Sequence, residues 1–179
     1  MRVIRILVAG TLLSLPAFAN IPKDTEVPVK NARKADASKS DLTVPERKFV
    51  ERATSDNIGD IELGRLALEK SQNPEVKNFA QMIVDDHQKS LDKLKSISND
   101  QKFPVPTSAT TETQKEYDRL SKLSGSEFDR EFKKLMEKRH TDAVQTFQKA
   151  SNQVQNDDLK SYINNTLPTL KEHKEKLTK

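Results

Sequence analysis

The chain has 179 residues, with 31 Lys and Arg against 27 Asp and Glu, a formal charge of +4, no Cys, no Trp and four Gly. Zero Cys excludes a disulfide scaffold, thiolate zinc sites, a cysteine nucleophile and thiol lipidation, and neither GxGxxG nor a GxxxxGK phosphate loop occurs. With 32% charged and 5% aromatic residues, the composition predicts long solvent-facing helices rather than a β-rich domain.

The N-terminus reads as a secretory signal over residues 1–19. Arg2 and Arg5 supply the positive start, residues 6–16 the apolar run, and Ala17-Phe18-Ala19 a cleavage site with the cut between Ala19 and Asn20. The apolar run is shorter than the roughly 20 residues a bilayer crossing needs. No Cys follows the cut, which excludes an N-terminal lipid anchor, and no later stretch approaches spanning length. The expectation is a periplasmic or otherwise exported protein with no transmembrane segment after cleavage. Loss of Arg2 and Arg5 lowers the formal charge from +4 to +2. The remaining charges alternate in sign along the chain, so nucleic acid is not expected as a partner.

Residues 20–42 are polar, with interleaved Lys and Asp and two Pro, and read as a flexible, disordered leader. The domain then occupies residues 43–179. The first helix opens at Thr43-Val44-Pro45-Glu46, a capping-box spacing with Pro in the first turn, and runs to about Lys70. Asn73-Pro74 starts a second helix, ending near Ser98. A Pro- and Thr-rich loop and a short helix over residues 114–123 follow. Ser124-Gly125-Ser126-Glu127 marks another capping box, opening a third long helix to about Gln153. Asn156-Asp157-Asp158 opens the fourth, which contains Pro168. Apolar stripes at helical period run through the last three long helices, for example Val76, Ala80, Ile83 and Leu91 in the second. The reading is all-α, an antiparallel four-helix bundle.

Each of the three His lies on a different long helix, within or beside its apolar stripe. Counting 100° per residue, His87 and His173 face inward and His140 lies roughly 60° off the centre of its stripe. The first helix has no His, but its inward face (Val50, Ala53, Asn57, Ile61, Gly64, Leu68) has Asp60 near its edge. At 1.5 Å per residue these side chains sit about 18 Å (Asp60), 20 Å (His87), 22 Å (His140) and 26 Å (His173) from one end of the bundle. Convergence of imidazoles and a carboxylate inside a bundle is how such folds build metal sites. Asp60, His87, His140 and His173 are therefore candidate ligands for Fe, Zn or Cu. The competing reading is three buried polar groups, each bonded to a carboxylate such as Asp86 or Glu137. Asp85-Asp86 and Asp157-Asp158 read as solvated or helix-start positions.

Further landmarks are Asp60-Ile61-Glu62-Leu63-Gly64-Arg65-Leu66-Ala67, then Val76-Lys77-Asn78-Phe79-Ala80 leading to Asp85-Asp86-His87. Gly125-Ser126-Glu127-Phe128-Asp129, His140 with Val144 and Phe147, and Leu167-Pro168-Thr169-Leu170 before His173 follow. In these residues the chain resembles the exported domain-of-unknown-function family DUF4142, grouped with ferritin-like helical bundles. The resemblance implies the fold and an envelope location and brings no established reaction. Ferritin-like di-iron sites use Glu-x-x-His on two helices. Here Glu137-x-x-His140 stands alone, with Val84 and Leu170 at the matching places before His87 and His173. A single mononuclear His-rich site, or none, fits better than a carboxylate-bridged di-iron centre. The alternative is a non-enzymatic envelope stress or interaction protein with structural histidines. No nucleophile motif points to a hydrolase.

Overall fold

The computed structural model describes residues 40–177, so the expected signal peptide and residues 20–39 of the leader lie outside the described residues. The described chain is all-helical: α1 (Val44–Lys70), α2 (Pro74–Asp100), α3 (Thr111–Ser121), α4 (Gly125–Ser151) and α5 (Asp157–Leu177). No described helix is long and apolar enough to cross a membrane.

Most helix starts follow the sequence punctuation. Glu46 Oε2 accepts from both the N–H and the hydroxyl of Thr43, each at 2.7 Å. Its Oε1 accepts from the backbone N–H of Gln155 and Asn156, each at 2.8 Å. A cap of α1 thereby also holds the connection between α4 and α5. Asn73 Oδ1 accepts from Glu75 N at 2.9 Å, with Pro74 in the first turn of α2. Two starts differ from expectation. Helix α3 begins three residues before Gln114, because Thr110 Oγ1 accepts from Thr113 N at 3.1 Å. The capping box expected at Ser124 does not form, since the Ser124 side chain makes no cap bond.

Helix α1 packs on α2, α2 on α5, α5 on α4, and α4 back on α1, while α3 lies against α1 and α4. Along α1 the approach to α2 depends on Gly64. A Cβ there would lie 2.8 Å from Val84 Cγ2 and 3.2 Å from the Ala80 carbonyl, closer than packed atoms tolerate. Leu42, placed by sequence at the end of the leader, is 2% exposed and packs in the core.

The core is two apolar clusters. One includes Phe49, Val50, Leu94, Phe147, Leu159, Ile163 and Leu170. The other includes Leu63, Leu66, Ala80, Ile83, Phe128, Phe132 and Met136, with Leu177 against it. On each long helix a buried polar residue lies between its contributions to the two: Asn57 and Asp60 on α1, His87 on α2, His140 on α4 and His173 on α5. A polar layer thus crosses the interior.

Candidate metal centre

Burial of these polar groups requires partners, and the partners define the site. His87, His140 and His173 are 6%, 1% and 1% exposed. One ring nitrogen from each lies within 4.8 Å of the others. His140 Nε2 is central, 3.4 Å from His87 Nε2 and 3.2 Å from His173 Nδ1. His140, off-centre by stripe counting, is buried because α4 packs against α1, α3 and α5 and so covers a broad arc.

The outward nitrogens set the tautomers. His140 Nδ1 is 2.9 Å from the Met136 carbonyl, which can only accept, so that nitrogen carries the proton. His173 Nε2 is 3.2 Å from Asp86 Oδ2 and donates to it. His87 Nδ1 is 3.0 Å from Asn57 Oδ1, whose amide nitrogen in turn donates to the Ala53 carbonyl at 2.7 Å. His87 therefore also spends its proton outward. What remains facing the centre is three lone pairs, with no hydrogen among them in the neutral rings.

Burial keeps those rings neutral. It pushes the His87 imidazole down to about 3, against the opposing pull of the Asp60 carboxylate. Burial also lowers His140, again opposed by Asp60. It lowers His173 despite the hydrogen bond and charge of Asp86. Neutral imidazole is the form that ligates metal. Three convergent lone pairs repel one another, and a cation at their centre removes that repulsion.

Asp60 lies in the same layer but outside the trio. Its Oδ2 is 3.6 Å from the outward nitrogen of His87, beyond hydrogen-bond range. Its Oδ1 accepts from Arg139 Nε at 2.5 Å. Burial works to raise the Asp60 carboxyl, but the charge and hydrogen bond of Arg139 hold it below the usual range. Asp60 and Arg139 thus form a buried ion pair beside the imidazoles.

Three supporting residues were not singled out as site residues from sequence. Asp86, read from sequence both as a solvated position and as a carboxylate that could bond a buried His, bonds to His173. Arg139 clamps Asp60, and Asn57, placed only on the inward face of its helix, orients His87. A faint signal existed: Asp86 and Arg139 each immediately precede a buried His on the rim of its stripe. Glu137 is exposed and Val84 and Leu170 offer no oxygen, so the carboxylate frame of a di-iron site is absent among these residues.

Known structures share this fold at low identity. A DUF305 fragment from Deinococcus radiodurans matches at 18% identity and a TM-score of 0.69, over 76% of this chain and 95% of its own. CopM in its Cu(I)-bound form matches at 21% identity and a TM-score of 0.63, over 74% of this chain and 91% of its own. A DUF305 protein from Streptomyces coelicolor, predicted to be secreted, matches at 13% identity and a TM-score of 0.64, over 72% and 86%. No curated protein matches the sequence significantly. With its residues 31–179 matched by the family described as a domain of unknown function, DUF4142, the chain belongs to that family.

Proposed function

We propose that the protein binds one transition-metal ion, copper(I) in preference to zinc or iron, through His87 Nε2, His140 Nε2 and His173 Nδ1. The observation that carries this reading is the orientation of the three imidazoles, each with its proton spent on an outer acceptor. Metal–imidazole bonds of about 2.0–2.1 Å place two ligand nitrogens about 3.3–3.6 Å apart in trigonal or tetrahedral geometry. The two separations from His140, 3.4 Å and 3.2 Å, need little adjustment, and the His87–His173 pair stands within 4.8 Å.

Three neutral nitrogens with no carboxylate among them leave the charge of a dication uncompensated and so favour a monovalent ion. Zinc prefers a fourth ligand, and desolvating a dication costs more than desolvating a monocation. The copper-bound state of CopM, a structural neighbour, supports the choice. Asp60 then takes a supporting place, its carboxylate facing the outer nitrogen of His87, as second-layer carboxylates do around metal-bound histidines. The host is an antiparallel four-helix bundle of the ferritin-like type. Its support is that α1 and α5 pass the two apolar clusters in one order, and α2 and α4 in the reverse. The expected signal sequence supports a periplasmic location, and no catalytic step is assigned.

A second reading has its own observation. His140 Nε2 is within hydrogen-bond distance of both other rings, so the trio also forms a structural chain once a proton is shared, which fits structural histidines in a non-enzymatic envelope stress or interaction protein. Anaerobic titration with Cu(I), Zn(II) and Fe(II) against competing chelators separates the two. One equivalent of Cu(I), abolished in His140→Ala, is expected. Less than about a tenth of an equivalent of any of the metals in the wild type would establish the structural reading instead.

A further inference from the structure

We propose that the ion reaches the three histidines through the cavity between α1, α3 and α4, and that the Arg139 guanidinium closes this path. The inference rests on the metal-binding reading. The outer cavity has a volume of about 200 Å³. A second void of about 20 Å³ is lined by His87, and a void of that size holds about one water. Asp56, Asp60 and Ala143 line both voids, so the two meet at one wall.

Arg139 is fastened to that wall. Its Nε donates to Asp60 Oδ1, its Nη2 to the Asp56 carbonyl at 3.3 Å, and its Nη1 to Thr113 Oγ1 at 3.1 Å. The fork therefore joins α1 and α3 across the mouth from its base on α4. Gly59 makes the closure fit. A Cβ at that position would stand 2.6 Å from Thr113 Cγ2 and 3.2 Å from Arg139 Nη2. The side chain of Arg139 is 15% exposed, so it borders solvent on one side and the buried carboxylate on the other. Its long stem lets the head swing outward while its Cα stays in the helix.

Charge points a cation to this mouth. Five carboxylates and three basic groups line the outer cavity, Glu112 and Asp142 among the acids. A net acidic cleft concentrates cations. As the guanidinium leaves, the arriving ion takes over its role beside Asp56 and Asp60, and His87 lies next along the path. The competing approach is the groove of α2, α4 and α5, with Lys133 and Lys176 in its lining. There the Phe79 ring stands between solvent and the site, its centroid 6.5 Å from His140 and 6.4 Å from His173. That approach sets two ammonium groups against the single carboxylate of Glu75, and an aromatic ring, before the ion.

The test is the rate of Cu(I) transfer from a coloured bicinchoninate complex to the whole apo-protein, followed by stopped flow. Arg139→Lys keeps the charge that the buried Asp60 needs but cannot meet all three acceptors. Thr113→Val removes one of them with little change of shape. Both are expected to load about tenfold or more faster than wild type at the same final stoichiometry, as loosened gates do. Glu112→Gln with Asp142→Asn is expected to load about threefold or more slower, and to lose most of the salt dependence of the rate. Phe79→Leu changes the rate less than about twofold if this path is used. Rates within twofold of wild type in both Arg139→Lys and Thr113→Val would overturn the proposal, as would acceleration in Phe79→Leu alone. Refolding wild type in the presence of Cu(I) bypasses any gate. If metal is then taken up while the variant rates are unchanged, the path is wrong and the site stands. If none is taken up, the site itself is wrong.

Discussion

Asp86 accepts from His173 Nε2, and that contact decides which nitrogen of His173 faces the other two rings. An amide in its place can donate as well as accept, so Asp86→Asn frees the tautomer. Metal affinity is expected to fall about 10- to 100-fold, the usual cost of losing a second-layer partner, measured by chelator competition. Asp86 is 30% exposed and also pairs with Lys89 at 3.0 Å, so thermal stability should change by less than about 1 kcal/mol. Unchanged affinity would remove Asp86 from the site. The inward direction of His87 and His173 was legible from helical counting alone. That Asp86 could bond a histidine was legible too, but which one was not, for a physical reason. Counting along α2 tells how Asp86 points relative to its own stripe, and says nothing of which side chain α5 presents at that height. Arg139 was hidden in the same way, because its partners lie on α1 and α3.

Helix α1 shows the same limit over a whole element. One inward stripe was expected, through Val50, Ala53, Asn57, Ile61, Gly64 and Leu68. Yet Thr54, Ser55, Gly59, Leu63 and Leu66 are buried as well. A stripe describes a helix with one buried face, whereas α1 packs against α2, α3 and α4. Its start, by contrast, was readable, because the capping box is local. What sequence could not show is that Glu46 serves two elements at once, accepting from Thr43 and from Gln155 and Asn156. Burial tends to raise the Glu46 carboxyl, but the bonds from Asn156, Thr43 and Gln155 hold it below its ordinary value. In Glu46→Gln the amide NH₂ faces the Thr43 N–H, two donors with no acceptor between them. Stability is expected to fall by about 1–3 kcal/mol, read as a lower urea midpoint. Because the folded carboxyl is depressed, its contribution is present above about pH 4.5 and is lost as pH falls below that. The wild-type and variant midpoints should therefore converge in acid. A constant gap down to about pH 3 would show that shape, not charge, holds the junction.

At the scale of the whole molecule, the polar layer divides one core into two apolar clusters, and this makes the unliganded protein sensitive to acid well above the carboxylate range. The folded chain keeps its three histidines neutral, with His87 pushed down to about 3 and His140 and His173 also lowered. The unfolded chain takes up protons on each below about pH 6.5. More protons bound in the unfolded state means that stability rises with pH. The contribution is therefore complete above about pH 6.5 and is lost as pH falls toward the folded values, at up to about 1.4 kcal/mol per pH unit for each ring that stays neutral. A metal at the centre acts on the same balance, since it binds the neutral rings of the folded state only. Free Cu(I) buffered at about 1,000 times its dissociation constant should add about 4 kcal/mol at neutral pH. Urea unfolding of the apo-protein and of the Cu(I)-loaded protein from pH 7.5 to 5 measures both effects together. The apo midpoint should decline across that range, and the metal-loaded midpoint should lie above it at every pH. A flat apo profile would mean that the imidazoles are charged or solvated in the folded state, and would remove the neutral three-nitrogen site on which copper binding depends.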